Sequence, residues 1–171
     1  MPFPTDPGKM SRPARIAACG VLTALALIFS YVEFLVPLPI PVPGIKLGLA
    51  NIVTVCALFL LGPRACLFII ILRTGLASFF GGGPVIFLYS IAGGMLSLAM
   101  MTALKKSARF SIIGISAAGG FAHHFGQLIV AAFAADTLSM FRYLPILGPC
   151  GLITGFIIGG LSARIISHKF D

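Results

Sequence analysis

Long apolar runs alternate along this chain with short breaks that are polar or rich in glycine and proline. Apolar runs of about 20 residues have the length that a helix needs to cross a bilayer. The pattern therefore predicts an all-α protein with six transmembrane helices. The predicted helices span residues 14–36, 47–62, 63–80, 84–104, 111–135 and 145–166.

Glycine and proline explain most of the predicted breaks. PLPIPVPG at 37–44 cannot continue a helix and predicts an extended loop. Gly62 and Pro63 predict a tight turn with proline at the first position of the third helix, and GGGP at 81–84 ends that helix. DTLSMFRYLP at 136–145 predicts a polar connection. The predicted organisation is a disordered tail at 1–13, one six-helix domain at 14–166 and a short tail at 167–171.

Composition supports a membrane location. Hydrophobic residues make up 58% of the chain and charged residues 9%, whereas about a quarter of an average soluble domain is charged. The net charge of +8 raises the question of nucleic acid, but the basic residues lie at the edges of apolar runs rather than in one stripe. Membrane topology explains that distribution, and we expect no nucleic-acid partner.

The basic residues also predict the orientation of the chain. One set of helix ends carries nine of them, the other carries Lys46 and Arg142, and Arg73 lies within a helix. Cytoplasmic ends carry the excess of Lys and Arg, so both termini are predicted to be cytoplasmic and the protein to lie in the cell membrane. The nine are Lys9, Arg12, Arg15, Arg64, Lys105, Lys106, Arg109, Arg164 and Lys169.

Small residues recur at four-residue spacing and predict close helix packing. The sixth helix carries Gly151, Gly155 and Gly159, and the fourth carries Ser90 and Gly94. Such spacing places small residues on one face, where two backbones can approach. We interpret most of these faces as contacts within the chain. In the first helix the small residues are a predicted interface with a partner helix: Ala14, Ala18, Gly20 and Ala24.

Polar side chains from different helices fall at similar predicted depths. With a rise of about 1.5 Å per residue, Arg73, Ser90 and Gln127 lie ~10, ~9 and ~12 Å below the outer rim. Glu33 and Asn51 lie nearer that rim by the same arithmetic. His123 and His124 lie just deeper, four and three residues before Gln127, so either pair can share a helix face.

Arg73 is the most informative of these residues because a charged guanidinium in hydrocarbon is costly without a partner or a cavity. It either forms a structural pair with Glu33 or Asp136, or holds an anionic or carbonyl-bearing ligand in a pocket that opens outward. Asn51 and Ser90 either bond neighbouring helices or contact that ligand. The loop that ends at Lys46 either connects two helices or covers the pocket.

Catalytic and metal chemistry have little support in the sequence. We expect hydrogen bonding rather than metal binding from the two histidines, because no third ligand lies at their depth in the same helix. Gly81 to Gly83 lacks the lysine of a phosphate-binding loop. The four cysteines lie singly in apolar runs and are predicted to be buried: Cys19, Cys56, Cys66 and Cys150. We predict no catalytic residue, cofactor or metal.

Five stretches resemble one family of small bacterial membrane proteins. The chain is similar over about residues 14–166 to the Gx transporter family, also labelled heptaprenyl diphosphate synthase component I. That family is similar in turn to the S components of energy-coupling factor (ECF) vitamin transporters, and Ala14 and Ala18 match their AxxxA pattern. The stretches are PGIKLGLANIVTV, ILRTGLASFFGGG, YSIAGGMLSLAMM, IIGISAAGGFAHHFGQL and LPILGPCGLITGFIIGG.

The resemblance implies a six-helix bundle with an outward ligand pocket, a transmembrane coupling subunit and ATPase subunits as partners. The second label implies an accessory subunit of prenyl diphosphate synthesis. Catalysis by this chain alone is excluded, since Asp6, Asp136 and Asp171 form no paired aspartate motif for magnesium and diphosphate. A scaffold of a quinone- or flavin-linked electron-transfer system is a third reading. The predicted ligand-binding residues are Arg73, Gln127, Asn51, Ser90, His123, His124, Glu33 and Lys46.

Overall fold

The structure is a computed structural model that describes residues 10–35 and 48–168. Within these ranges the chain is almost entirely helical and contains no strand. Residues 1–9 of the predicted tail, the proline-rich loop with Lys46, and residues 169–171 lie outside the described residues. The six α-helices of the described ranges are α1 (Arg12–Leu35), α2 (Asn51–Leu60), α3 (Pro63–Ala77), α4 (Gly83–Lys106), α5 (Ile112–Ala134) and α6 (Leu144–His168).

Four of these helical regions are long and apolar enough to cross a membrane: Arg12–Glu33, Pro63–Phe80, Gly83–Lys106 and Leu138–Ser167. The protein is therefore a multi-pass membrane protein. Helix α5 is not among these four. It has 23 residues, but two histidines and a glutamine near its middle lower its mean hydropathy. Helix α2 has 10 residues, or about 15 Å of rise, which is half of a hydrocarbon core of about 30 Å.

Local sequence sets most helix ends as predicted. Gly62, at φ 88°, precedes Pro63 at the first turn of α3. Gly83, at φ 69°, separates α4 from a π-helical turn, Ser78–Gly82, that extends α3. The side chain of Ser111 accepts a hydrogen bond from Gly114 N, 3.2 Å away, and caps α5. The breaks predicted at Gly62 and Pro63 and at the GGGP stretch are confirmed.

One helix boundary and one burial prediction are wrong. Helix α2 begins at Asn51 rather than at residue 47, because Gly48 adopts φ 83° and starts a turn. The predicted polar connection contains a 3₁₀ helix, Leu138–Tyr143, begun by the side chain of Thr137, which accepts from Ser139 N. Cys56 and Cys66 are buried as predicted, but Cys19 is half-buried and Cys150 is exposed.

Glycines explain why α5 is the central helix, packed between α4 and α6. A Cβ atom on Gly155 of α6 would lie 2.5 Å from the carbonyl oxygen of Ser116, and one on Gly126 of α5 would lie 2.8 Å from that of Ala92. Both interfaces therefore bring backbones into direct contact, as small residues do in membranes. The predicted packing face Gly151, Gly155 and Gly159 is confirmed as a contact within the chain.

Candidate functional site

Six of the eight predicted ligand-binding residues line one cavity. They come from α1, α2, α3, α4 and α5. Arg73, Ser90 and Gln127, which were predicted to lie at a similar depth, all line this cavity. Gly48, Ser30, Thr74 and Ala77 also contribute to its wall. Its ligand-binding role stays a prediction. The six residues are Glu33, Asn51, Arg73, Ser90, His123 and Gln127.

The cavity has a volume of about 20 Å³. One water molecule needs roughly 10–15 Å³ by the same measure. In this conformation the cavity therefore has room for a water molecule but not for a vitamin-sized ligand. Any larger ligand requires that at least one side chain of the wall moves.

Arg73 is the charged centre of this cavity. Only 6% of the residue is exposed, and its Nε has no hydrogen-bond partner among the described residues. Asp136, one of the two predicted partners, lies exposed beyond α5 and does not line the cavity. Glu33, the other, lines the same cavity as Arg73, and a structural pair between these two residues stays a prediction.

Two glycines of α4 lie against side chains of α3 and α5. A Cβ atom on Gly93 would lie 2.9 Å from the ring of His123, and one on Gly94 would lie 2.9 Å from Cγ2 of Ile70. Gly94, which belongs to the predicted small face of the fourth helix, therefore packs against α3. Gly93, which the spacing did not single out, leaves space for the ring of His123 beside the cavity.

His124 and Gln127 form the hydrogen bond that their spacing predicts. Nδ1 of His124 lies 3.1 Å from Oε1 of Gln127, and both residues are buried. The amide oxygen can only accept, so His124 carries a proton on Nδ1. The Nε2 amino group of Gln127 is then left facing no acceptor among the described residues, and it is the second buried donor of the cavity without a partner.

The two histidines separate into different environments. His123 lines the cavity with Arg73, and it also borders a second space of about 10 Å³. His124 lines only this second space, together with Ser97, Ser116 and Thr154. No group of three His, Cys, Asp or Glu residues suited to a metal occurs within residues 10–35 and 48–168.

Glu33 links the end of α1 to the start of α2. Its Oε1 accepts a hydrogen bond of 2.6 Å from Leu49 N, in the turn that precedes α2. The same turn holds Gly48 against Asn51, since a Cβ atom on Gly48 would lie 2.8 Å from Asn51 Nδ2. Sequence reasoning missed Gly48, Ser30 and Thr74 as wall residues. For Gly48 the sequence did offer a signal, because glycine is the residue that most readily adopts the positive φ of a tight turn.

The predicted partner-helix residues lie on α1, away from the bundle. Ala14, Gly20 and Ala24 are exposed and Ala18 is half-buried, and a Cβ atom on Gly20 would meet nothing within 4 Å. The face also exposes Ile16, Val21 and Ile28. The described part of the chain leaves this face uncovered, and its pairing with another protein stays a prediction.

Comparison with known proteins identifies one match. Residues 22–165 match the model of a family described as heptaprenyl diphosphate synthase component I. No curated protein and no solved structure matches the chain. The match covers most of the chain, from α1 to the last turns of α6, and confirms the family expected from the five stretches of sequence.

Proposed function

The chain belongs to the heptaprenyl diphosphate synthase component I family, and from that premise we propose that it is the substrate-binding subunit of an uptake transporter for a small molecule. The observation that carries the proposal is the cavity that joins Arg73, Asn51, Ser90 and Gln127 inside an apolar bundle. Buried polar groups without partners are costly in a membrane and are typical of ligand and ion sites.

The proposal includes the topology. Six membrane segments, with both termini in the cytoplasm, place the cavity nearer the outer side. Helix α2 covers only about half of the membrane, and its amino end then lies beside the cavity. The basic residues at the opposite ends of the helices support this orientation through the positive-inside rule.

Energy for transport comes from other subunits in this proposal, because the sequence contains no nucleotide-binding motif. The partners are a transmembrane coupling subunit, bound along the exposed face of α1, and ATPase subunits on the cytoplasmic side. Ala14, Ala18, Gly20 and Ala24 offer this coupling subunit a surface along which two helix backbones can approach closely.

Co-purification tests the proposal. Protein extracted from native membranes in a mild detergent is expected to retain ATPase subunits and a small molecule, both identified by mass spectrometry. Ala24→Leu on the exposed face of α1 is expected to release the partners, whereas Leu161→Ala on the exposed face of α6 serves as the matched control. Intact complexes in both variants would contradict the assigned interface, and absence of ATPase subunits from the wild type would contradict the transporter.

The printed family name favours a second candidate, a membrane accessory of heptaprenyl diphosphate synthesis. The chain has four acidic residues, widely separated, so the catalytic metal site must lie in another subunit. This candidate predicts that the same purification retains a soluble synthase subunit instead of ATPases. It also predicts synthase activity in the purified complex and no substrate uptake.

A further inference from the structure

The amino end of α2 opens into the candidate cavity. Gly48 lies in the turn before the helix, Asn51 is its first residue, and both line the cavity with Arg73 and Gln127. The first amide groups of a helix lack partners within the helix and carry a partial positive charge. A helix of 10 residues that begins beside a buried arginine therefore adds to the positive potential at this place.

Two buried side chains add donors to the same cavity. Arg73 is 6% exposed and Gln127 is 1% exposed. Arg73 Nε and Gln127 Nε2 both lack a hydrogen-bond partner among the described residues. The cavity thus combines a permanent cation, an amide donor and a helix amino end. An acceptor with negative charge satisfies the two side-chain donors and complements the positive potential of the helix end.

The protein's own carboxylate already occupies part of this arrangement. Glu33 lines the cavity and accepts from Leu49 N at 2.6 Å, in the turn before α2. A carboxylate oxygen therefore fits at this helix end. Because the cavity measures only about 20 Å³, a second anionic group does not fit while the Glu33 side chain stays in place.

We propose that the cavity binds the oxyanion group of a small molecule, a carboxylate or a phosphate, between Arg73 and the amino end of α2. The ligand replaces Glu33 as the acceptor for Leu49 N–H, and Gln127 Nε2 donates to the same oxyanion. Leu49 N–H keeps an acceptor in this exchange, since the oxyanion takes the place of the Glu33 carboxylate. This inference rests on the proposed function, in which the cavity is the ligand site, and it names the chemical class of the ligand.

The test uses the full chain in phosphatidylcholine nanodiscs and measures its thermal unfolding temperature with three probes: octanoate, its neutral analogue octanamide, and inorganic phosphate. At least one of the two anions is expected to raise the unfolding temperature in a saturable manner, and octanamide is not. Arg73→Gln is expected to abolish the response. Arg64→Gln, which removes an exposed arginine of the same helix, is expected to retain it.

Glu33→Gln provides a second test that does not depend on the folding of the Arg73 variant. The neutral amide competes less well for Leu49 N–H, so the anion concentration needed for half-maximal stabilisation is expected to fall about tenfold. This change corresponds to about 1.4 kcal/mol of binding free energy. An unchanged or raised concentration would overturn the exchange. Equal stabilisation by octanamide, or equal loss of the response in both arginine variants, would overturn the oxyanion site.

Two further outcomes separate the possible sources of failure. Nanodiscs that contain phosphatidylglycerol test a lipid headgroup as the oxyanion, and Arg73-dependent stabilisation by that lipid alone would overturn the assignment to a small molecule. If the native complex retains ATPase subunits and a neutral small molecule, the substrate-binding function stands and the oxyanion inference fails. If anions bind through Arg73 but no ATPase co-purifies, the site stands and the transporter fails.

Discussion

Gln127 and His124 are joined by a buried hydrogen bond, with Oε1 of the glutamine 3.1 Å from Nδ1 of the histidine. They lie three residues apart on α5, so the bond spans one helical turn. Because the amide oxygen is engaged, the amide nitrogen is the end of Gln127 that remains available in the cavity. His124 therefore acts on the cavity through Gln127 and lies outside its wall.

A double-mutant cycle measures this bond. His124→Ala and Gln127→Ala are each expected to destabilise the protein, and their effects are expected to couple by about 0.2–0.5 kcal/mol, the range for polar pairs three or four residues apart on one helix. Unfolding in detergent checks the coupling. His124→Ala combined with Ser107→Ala, an exposed residue after α4, is expected to be additive, and a coupling near zero in the first pair would contradict the bond.

Arg73→Met is expected to stabilise the protein without ligand. Arg73 is buried and its Nε has no hydrogen-bond partner among the described residues, and a buried polar group without a hydrogen bond costs about 1–3 kcal/mol compared with an apolar side chain. The unfolding free energy of the variant is compared with that of Arg64→Met, which removes an exposed charge and is expected to change little. A marked destabilisation by Arg73→Met would show instead that Arg73 is a structural partner, as the alternative interpretation of the sequence has it.

Gly93→Ala is expected to destabilise the protein by about 1–3 kcal/mol, the usual range for an overpacked core. The new Cβ would lie 2.9 Å from the His123 ring and also 2.9 Å from its carbonyl oxygen, and the backbone atom cannot move aside. Gly75→Ala on α3 is the control, because its Cβ meets nothing within 4 Å. Thermal unfolding of the two variants decides the point, and equal transition temperatures would contradict the predicted clash.

A comparison of Gly48→Ala with Gly62→Ala distinguishes the effect of backbone strain from the effect of displacing the Asn51 side chain. Both glycines have a positive φ, 83° and 88°, so each alanine is expected to cost about 1 kcal/mol or more in strain. Only at Gly48 does the Cβ meet a side chain, 2.8 Å from Asn51 Nδ2. Ligand affinity is therefore expected to fall in Gly48→Ala alone, and an equal fall in both variants would argue against Asn51.

Lys105→Met is expected to destabilise the protein by about 1.5–3 kcal/mol, the range for a hydrogen bond to a charged group. Lys105 Nζ donates to the carbonyl oxygen of Leu58, 2.7 Å away, and lies 4.6 Å from the centre of the Phe59 ring. It thereby caps the carboxyl end of α2 from α4. Lys106→Met removes the exposed neighbouring charge and is expected to have little effect, and chemical denaturation of both variants tests the difference.

Helix rise and the position of each break were enough to predict from the sequence that Arg73, Ser90 and Gln127 meet. Those quantities are local, and a bilayer fixes the depth of each helix within narrow limits. Which of the two histidines lines the cavity could not be predicted in this way. Both lie within four residues of Gln127, and only the packing of α5 between α4 and α6 decides that His123 lines the cavity.

By itself the sequence determined an apolar helical chain, its main breaks at Gly62 and Gly83, and the residues that are costly to leave in lipid. Each of these follows from hydropathy, backbone freedom or charge, which are properties of single residues and short segments. Only the tertiary structure decided that α2 begins beside Arg73, that Glu33 reaches Leu49 N, and that the cavity holds little more than a water molecule. These features depend on contacts between residues far apart in the chain, and no local pattern records those contacts.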